Sequence, residues 1–167
     1  MTLARVRTVY GRFLELIAIV LMVALAVIVV VGVVYRTMGA SLVWYDEVAS
    51  ILLAWITFYG AALAALRGAH IGVPSLVELT PPAVRVALTL LAEALVIAFF
   101  LLLAWVGWSV LEVLATDSLV SIPSVSVKYT QSVVPIGAML FVLAELLRLP
   151  EAVRNARTGG KPSGAPA

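Results

Sequence analysis

The chain has 167 residues, of which 63% are hydrophobic and 12% are charged, and its formal net charge is +2. Soluble domains are about 45–50% apolar and about 25% charged, so this composition excludes an ordinary soluble domain and indicates a lipid bilayer as the solvent. The absence of cysteine excludes a disulfide framework, a thiolate metal site and a cysteine nucleophile. A single histidine excludes the paired axial histidines of a bis-imidazole haem protein.

The first apolar run, over residues 13–34, predicts a membrane span. It contains one charged residue, Glu15, and as a helix it is about 33 Å long, enough to cross a bilayer. Basic residues precede it, as in a secretory signal. A signal's apolar region, however, is only about 7–15 residues long, and no A-x-A cleavage site follows here. We interpret the run as a retained span.

Three further apolar runs predict spans at about residues 48–66, 84–111 and 133–149. We therefore expect an all-α membrane protein with a four-helix membrane domain over residues 1–150. A cytoplasmic tail over residues 151–167 should be largely disordered, because its last ten residues are rich in Gly, Pro and Ala. The loop between spans two and three has an apolar side interrupted by prolines, which favours an interfacial amphipathic segment.

The basic residues are strongly biased to one side of these spans. Nine of the eleven Lys and Arg lie before the first span, between spans two and three, or after span four, whereas Arg36 and Lys128 lie on the other side. Because cytoplasmic flanks collect Lys and Arg, we expect both termini to lie in the cytoplasm.

Span two has acids at its start and small residues in its second half. Asp46 and Glu47 lie in the predicted first turn, where acids satisfy free backbone N–H groups and complement the helix dipole. That role suffices for Asp46, but a contact of Glu47 with a partner stays open. Trp55 lies about 12 Å into the span, too deep for an interface, so we expect it to pack against another helix. The small-xxx-small pairs 60/64 and 61/65 predict a close helix contact, within the chain or with another.

Glu93 is a buried ionisable residue near the middle of predicted span three. A charge at the centre of a span costs about 2.5–3.5 kcal/mol on insertion scales, so such residues are usually buried in protein and functional. One interpretation is a proton or cation relay. The other is a protonated or hydrogen-bonded structural residue, with Thr89 one turn away, because we expect no second ionisable group at the same depth.

The loops offer no self-contained chemistry. His70 has no companion ligands in the sequence, and the outer loop lacks a nucleophile–base pair, a phosphate-binding glycine loop and catalytically spaced carboxylates. We therefore expect no catalytic residue, no cofactor, no metal site and no nucleic-acid partner, and we do not expect an enzyme.

Several short motifs follow one another in a defined order along the spans. They are Trp44, Asp46-Glu47, Trp55, Gly60, "RGAHIGV", "SLVSIP" and Pro135-Ile136-Gly137. Over about residues 10–150 this order and spacing resembles the small, four-span membrane subunit of tripartite ATP-independent periplasmic (TRAP) transporters.

The resemblance implies a non-catalytic, multi-pass subunit of the bacterial inner membrane. In that family the small subunit works with a large membrane transport subunit and a periplasmic substrate-binding protein. Together they take up carboxylates, such as C4-dicarboxylates or sialic acid, with a sodium gradient, and the small subunit enlarges the scaffold of the large one. The family's recurring polar marks carry over to Glu47, Arg67 and His70. The chain departs from the family pattern after the His-Ile pair, where it has Gly72 and Pro74 in place of a basic residue and an acid.

The expected contacts and two alternatives follow from these interpretations. The expected partner interface comprises Trp44, Glu47, Trp55, Gly60, Ala64, Arg67 and His70. One alternative is an autonomous small proton-coupled exporter that uses Glu93, in which Glu93→Gln would abolish export; in a scaffold the same change would leave uptake largely intact. The other alternative is the small subunit of a tricarboxylate-type tripartite carrier, which shares the architecture and differs in its partner.

Overall fold

The computed structural model describes residues 3–69 and 81–158, and the regular elements of these residues are helices. The four long helices are α1 (Leu3–Thr37), α2 (Tyr45–Arg67), α3 (Pro82–Val113) and α5 (Val133–Thr158). A 3-10 turn (Leu114–Thr116) and a short helix, α4 (Val127–Gln131), lie between α3 and α5. Each long helix has the length and apolar composition to cross a membrane. The prediction of an all-α protein with four membrane spans is therefore confirmed.

The helices extend beyond the apolar runs that predicted them. α1 begins at Leu3 rather than at residue 13, and α5 continues through Pro150 to Thr158 rather than ending at residue 149. Residues 151–158 are therefore helical, and the prediction of a disordered tail concerns residues that lie mostly outside the described part of the chain. Glu151 forms an ion pair with Arg7 of α1, and Ala156 is buried, so this extension packs against the rest of the chain.

Some predictions concern parts of the chain outside the described residues. They are His70, the amphipathic segment between spans two and three, and the tail from residue 159 onwards.

α2 and α5 are the central helices of the molecule. α2 packs against α1 and α5, and α5 packs against α2 and α3. The core where they meet includes Leu14, Tyr59, Ala62, Leu66 and Phe141. The outer helices α1 and α3 bury few residues and expose large apolar side chains along most of their length. Such exposure is expected of helices that contact lipid or another subunit rather than water.

Two glycines allow the long helices to approach each other closely. A Cβ atom at Gly32 of α1 would overlap the ring of Tyr45, and one at Gly137 of α5 would lie 2.6 Å from Cβ of Phe58. Real Cβ atoms do not come this close to other atoms. Because glycine has no side chain, these two positions allow the short distances between α1 and α2 and between α2 and α5.

The α3–α5 contact depends instead on aromatic stacking. The rings of Phe100 and Phe141 are stacked, with centroids 3.7 Å apart and planes 11° apart. Further along the same pair of helices, Gly107 lies against Pro135. These two contacts define an antiparallel register between α3 and α5, which decides which polar residues of the two helices meet.

Candidate functional site

Glu47 joins the start of α2 to the connection between α3 and α5. Its Oε1 atom accepts a hydrogen bond from the N–H of Val120 at 3.1 Å. Its Oε2 atom accepts one from the N–H of Ser121 at 2.9 Å and another from the Ser121 hydroxyl. The N-cap residue of α2, Trp44, makes no side-chain capping bond. Glu47 therefore fixes the "SLVSIP" motif against α2, and the observed bonds of its carboxylate are not helix-capping bonds.

The connection held by Glu47 has its own backbone hydrogen bonds. The N–H of Leu119 donates to the carbonyl of Val125 at 2.9 Å, and the N–H of Val127 donates to the carbonyl of Asp117 at 2.9 Å. Leu119 is buried, whereas Val120 at the turn is 92% exposed. The first part of the connection is thus an ordered loop that Glu47 attaches to α2.

Trp55 also bonds within the chain. Its Nε1–H donates to the carbonyl of Thr130 in α4 at 2.9 Å, and its ring stacks on Tyr59 with centroids 6.2 Å apart. Trp55 packs against the core in this position. By contrast, Trp44 is 37% exposed at the start of α2. Trp55 therefore attaches α4 to α2, and of these two tryptophans Trp44 is the more accessible.

The small residues of α2 divide between two faces. Ala62 and Ala65 are fully buried in the core. Gly60 and Ala64 lie on another face and are only partly buried, and a Cβ atom at Gly60 would meet nothing within 4 Å. We call this surface the α2 open face; its residues are Leu53, Thr57, Gly60 and Ala64, spaced three or four apart as on one side of a helix. Leu53 is 57% exposed, so the face is free along much of its length.

Ion pairs connect the helices at the end that contains Arg67. Arg67 pairs with Glu15 of α1. Arg7 of α1 pairs with Glu151 of α5 and donates a hydrogen bond to the carbonyl of Leu66 at 2.9 Å. Arg67, which the sequence assigned to a partner interface, therefore has a partner in its own chain, and these contacts hold α1 to both central helices.

Glu93 has ionisable neighbours on α5. The Nη1 atom of Arg148 lies 3.7 Å from Oε1 of Glu93 and 3.4 Å from Oε2 of Glu145. The expectation that no second ionisable group shares the depth of Glu93 is wrong. The position of a residue within its own apolar run does not give its depth relative to another helix. The antiparallel register of Phe100 with Phe141 places Glu93, two turns earlier on α3, beside Arg148, two turns later on α5.

An open apolar groove of about 540 Å³ lies between α3 and α5, on the side of the Phe100–Phe141 stack that is nearer the end of α3 and the start of α5. It is lined by Leu101, Ala104, Trp105, Trp108, Pro135, Ile136, Met139 and Leu140. Trp105 and Trp108 are 71% and 64% exposed. The groove is a second apolar surface for lipid or a neighbouring helix.

Sequence reasoning missed Ser121, and it placed Glu145 and Arg148 in a charge network at the end of their span without linking that network to Glu93 of α3. Ser121 lies within a recognised motif, but nothing in the sequence links it to an acid more than seventy residues away. Glu145 and Arg148 are spaced three apart on α5, and an acid and a base at that spacing at the end of an apolar run are a readable signal of a helix ion pair. Their pairing with α3 carries no such signal.

These features define a class of protein: a small four-helix membrane protein in which Glu47 and Trp55 bind other parts of the same chain. Among residues 3–69 and 81–158, no group of three or more His, Asp or Glu is placed to hold a metal ion. The family model for the DctQ component of tripartite ATP-independent periplasmic transporters matches residues 25–155. The chain therefore belongs to this family, and the resemblance drawn from its motifs is confirmed. A comparison with curated protein sequences gives no match.

Membership places the chain in a known kind of assembly. DctQ proteins are components of a transporter in the inner membrane, where they work in tripartite complexes with a large membrane subunit and a periplasmic binding protein. The four apolar helices fit that location.

Proposed function

We propose that this chain is the scaffold subunit of a TRAP importer, in which it supports the large transport subunit during sodium-coupled uptake of carboxylates. The substrates would be C4-dicarboxylates or sialic-acid-like compounds delivered by a periplasmic binding protein. The observation that carries this proposal is the family match over residues 25–155. The contacts of Glu47 and Arg67 support a scaffolding role, because these two residues, which match polar residues that recur in the family, hold elements of the chain together.

We assign the docking of the large subunit to the α2 open face. Small residues at this spacing let the backbone of a second helix approach closely, which is how helices associate in a membrane without a hydrophobic driving force. Gly60 leaves open space beside α2. Trp55, Glu47 and Arg67 contribute indirectly, since they hold α2 in place through Thr130, Ser121 and Glu15.

Both termini are proposed to lie in the cytoplasm. Arg7 contacts the carbonyl of Leu66, and Gly68 lies beside Arg148, so the start of α1, the end of α2 and the later part of α5 meet at one end of the molecule. That end carries most of the chain's basic residues, and cytoplasmic flanks collect them.

Filling the α2 open face tests the docking assignment. Gly60→Leu and Ala64→Leu place a bulky side chain where a partner helix would lie, and overpacking costs about 1–3 kcal/mol. We expect recovery of the large subunit in co-purification to fall about tenfold or more, since 1.4 kcal/mol corresponds to tenfold in affinity.

A matched control and a contrary result complete this test. Ala98→Leu makes a similar change on the exposed surface of α3 and should leave recovery unchanged. Unchanged recovery with both α2 variants would refute the docking assignment. Substrate transport by the purified chain alone in liposomes would refute the scaffold function itself.

A further inference from the structure

Two neighbouring open hollows lie at the basic end of the molecule, and Pro150 and Arg154 of α5 line both of them. The first, of about 260 Å³, lies between the start of α1 and the later part of α5; its other lining residues are Leu3, Ala4, Arg7, Leu147 and Glu151. The second, of about 350 Å³, lies along α5, and its other lining residues are Leu149, Val153 and Arg157. We call the two together the basic hollow.

The charges of the basic hollow leave a positive surplus. Arg7 and Glu151 form an ion pair, so these two charges offset each other. Arg154 and Arg157 are exposed, and no acid within residues 3–69 and 81–158 pairs with either of them. The hollow therefore offers two guanidinium groups to an anion, and the planar fork of a guanidinium matches the oxygens of a phosphate.

The same hollow has an apolar surface beside these arginines. Leu149 and Val153 lie on the side of α5 that carries Arg157, since positions four apart on a helix are neighbours. On α1, Leu3 lines the first hollow and is 53% exposed. A free phosphate would leave this apolar surface uncovered, whereas a phosphate joined to hydrocarbon chains covers both parts.

The arginines also lie at the depth of lipid headgroups. Arg154 comes five residues after the apolar run that ends at residue 149, about 7 Å along the helix, and Arg157 lies about 12 Å beyond that run. The headgroup layer is roughly 5–8 Å thick on each side of the hydrocarbon core, and long arginine side chains extend into it. The phosphates of a surrounding bilayer are thus within reach of this site.

We propose that the basic hollow binds an anionic phospholipid, whose phosphate is held by Arg154 and Arg157 and whose hydrocarbon lies on Leu149 and Val153. Basic pockets between spans recognise acidic headgroups in this way. A zwitterionic lipid has the same phosphate but adds a cation that the arginines repel. Because α1 and α5 both line the first hollow, the bound lipid contacts two helices at the end where the Arg7–Glu151 pair joins them.

Native mass spectrometry of the full chain, purified in detergent and freed of co-purified lipid, measures this binding. The two probes are phosphatidylglycerol and phosphatidylcholine with the same acyl chains. We expect the wild-type chain to bind phosphatidylglycerol about tenfold more tightly or better, because each arginine near an anionic lipid contributes about fivefold in affinity. The double variant Arg154→Gln with Arg157→Gln should lose this preference.

A matched control removes the same charge from the same end of the molecule. Arg5 and Arg12 are exposed on α1 and line neither part of the basic hollow. The double variant Arg5→Gln with Arg12→Gln should therefore keep the wild-type preference for phosphatidylglycerol.

Thermal unfolding separates a lipid from a free phosphate. A ligand that binds only the folded chain raises the thermal midpoint. Phosphatidylglycerol should raise the midpoint of the wild-type chain more than phosphatidylcholine does, and the Arg154→Gln with Arg157→Gln variant should show no such difference. Inorganic phosphate at the same concentration should leave the wild-type midpoint unchanged, since it covers none of the apolar surface.

Three results would overturn the proposal. One is equal affinity of the wild-type chain for the two lipids, a reading that needs no variant to fold. Another is a preference that survives Arg154→Gln with Arg157→Gln, or that both double variants lose equally, since net charge rather than the hollow would then attract the lipid. The third is a midpoint that inorganic phosphate raises as much as phosphatidylglycerol does. The measurements use this chain alone, so their failure leaves the docking of a large subunit on the α2 open face untouched.

Discussion

At the scale of single residues, the carboxylate of Glu47 joins two parts of the chain that are more than seventy residues apart. One carboxylate accepts hydrogen bonds from two backbone N–H groups and a hydroxyl of Val120 and Ser121, so it anchors the loop between α3 and α4 to α2. Charge-assisted hydrogen bonds of this kind are about twice as strong as neutral ones. Glu47 is thus a positioning residue for the loop.

We predict that Glu47→Ala loosens this loop. The chain has no cysteine, so Leu119→Cys introduces a unique thiol at a buried position of the loop. In the Glu47→Ala background this thiol should react with a maleimide several-fold faster, because the bonds to Val120 and Ser121 are lost. The measurement is the labelling rate in the purified full chain.

Two comparisons sharpen the Glu47 experiment. Asp46→Ala removes the neighbouring exposed acid and should leave the labelling rate unchanged. Ser121→Ala removes one of the three bonds and should give an intermediate rate. Equal rates in the Glu47→Ala and parent backgrounds would show that the loop is held by its own backbone bonds.

At the scale of helices, the sequence could predict how many there are but not how they meet. Hydropathy identified the four spans of the described residues because an apolar run of about 17–25 residues, enough to cross a bilayer, can be recognised without knowing what it packs against. The span predicted from hydropathy ends before Pro150 because the following residues are polar, although the helix continues there and Glu151 binds Arg7. The sequence pattern also gave no partner for Glu93.

The miss at Glu93 has a physical cause. The meeting of Glu93 with Arg148 depends on the relative shift of α3 and α5, which the Phe100–Phe141 stack fixes. A single sequence records each helix's own pattern and leaves that shift undetermined. The same holds for Glu47 and Ser121, whose contact spans separate helices and a loop.

Close packing of α2 on α5 gives a prediction at the same scale. Gly137→Ala should destabilise the chain by about 1–3 kcal/mol, because the added methyl group meets the side chain of Phe58, and overpacking of this kind costs that much. Gly60→Ala adds the same methyl group to open space and should leave stability nearly unchanged. Thermal unfolding of the two variants in detergent makes the comparison, and equal midpoints would contradict a close α2–α5 contact at Gly137.

At the scale of the whole molecule, the helix arrangement gathers charge at one end. Arg7, Arg67 and Arg148 lie where α1, α2 and α5 meet, and each contacts an acid of another helix or of its own. Arg36 and Lys128 lie at the other ends of their spans. The ion pairs thus connect the helices at the end that the basic residues are proposed to hold in the cytoplasm.

This orientation predicts which positions can be labelled from outside the cell. In the cysteine-free chain, Lys128→Cys and Arg154→Cys each introduce a single thiol at an exposed position. A membrane-impermeant maleimide should label Lys128→Cys in intact cells, and should reach Arg154→Cys only after the membrane is permeabilised. The reason is that Arg154 lies on the basic end, which the positive-inside rule assigns to the cytoplasm. Labelling of Arg154→Cys in intact cells, with Lys128→Cys protected, would show that the proposed topology is inverted.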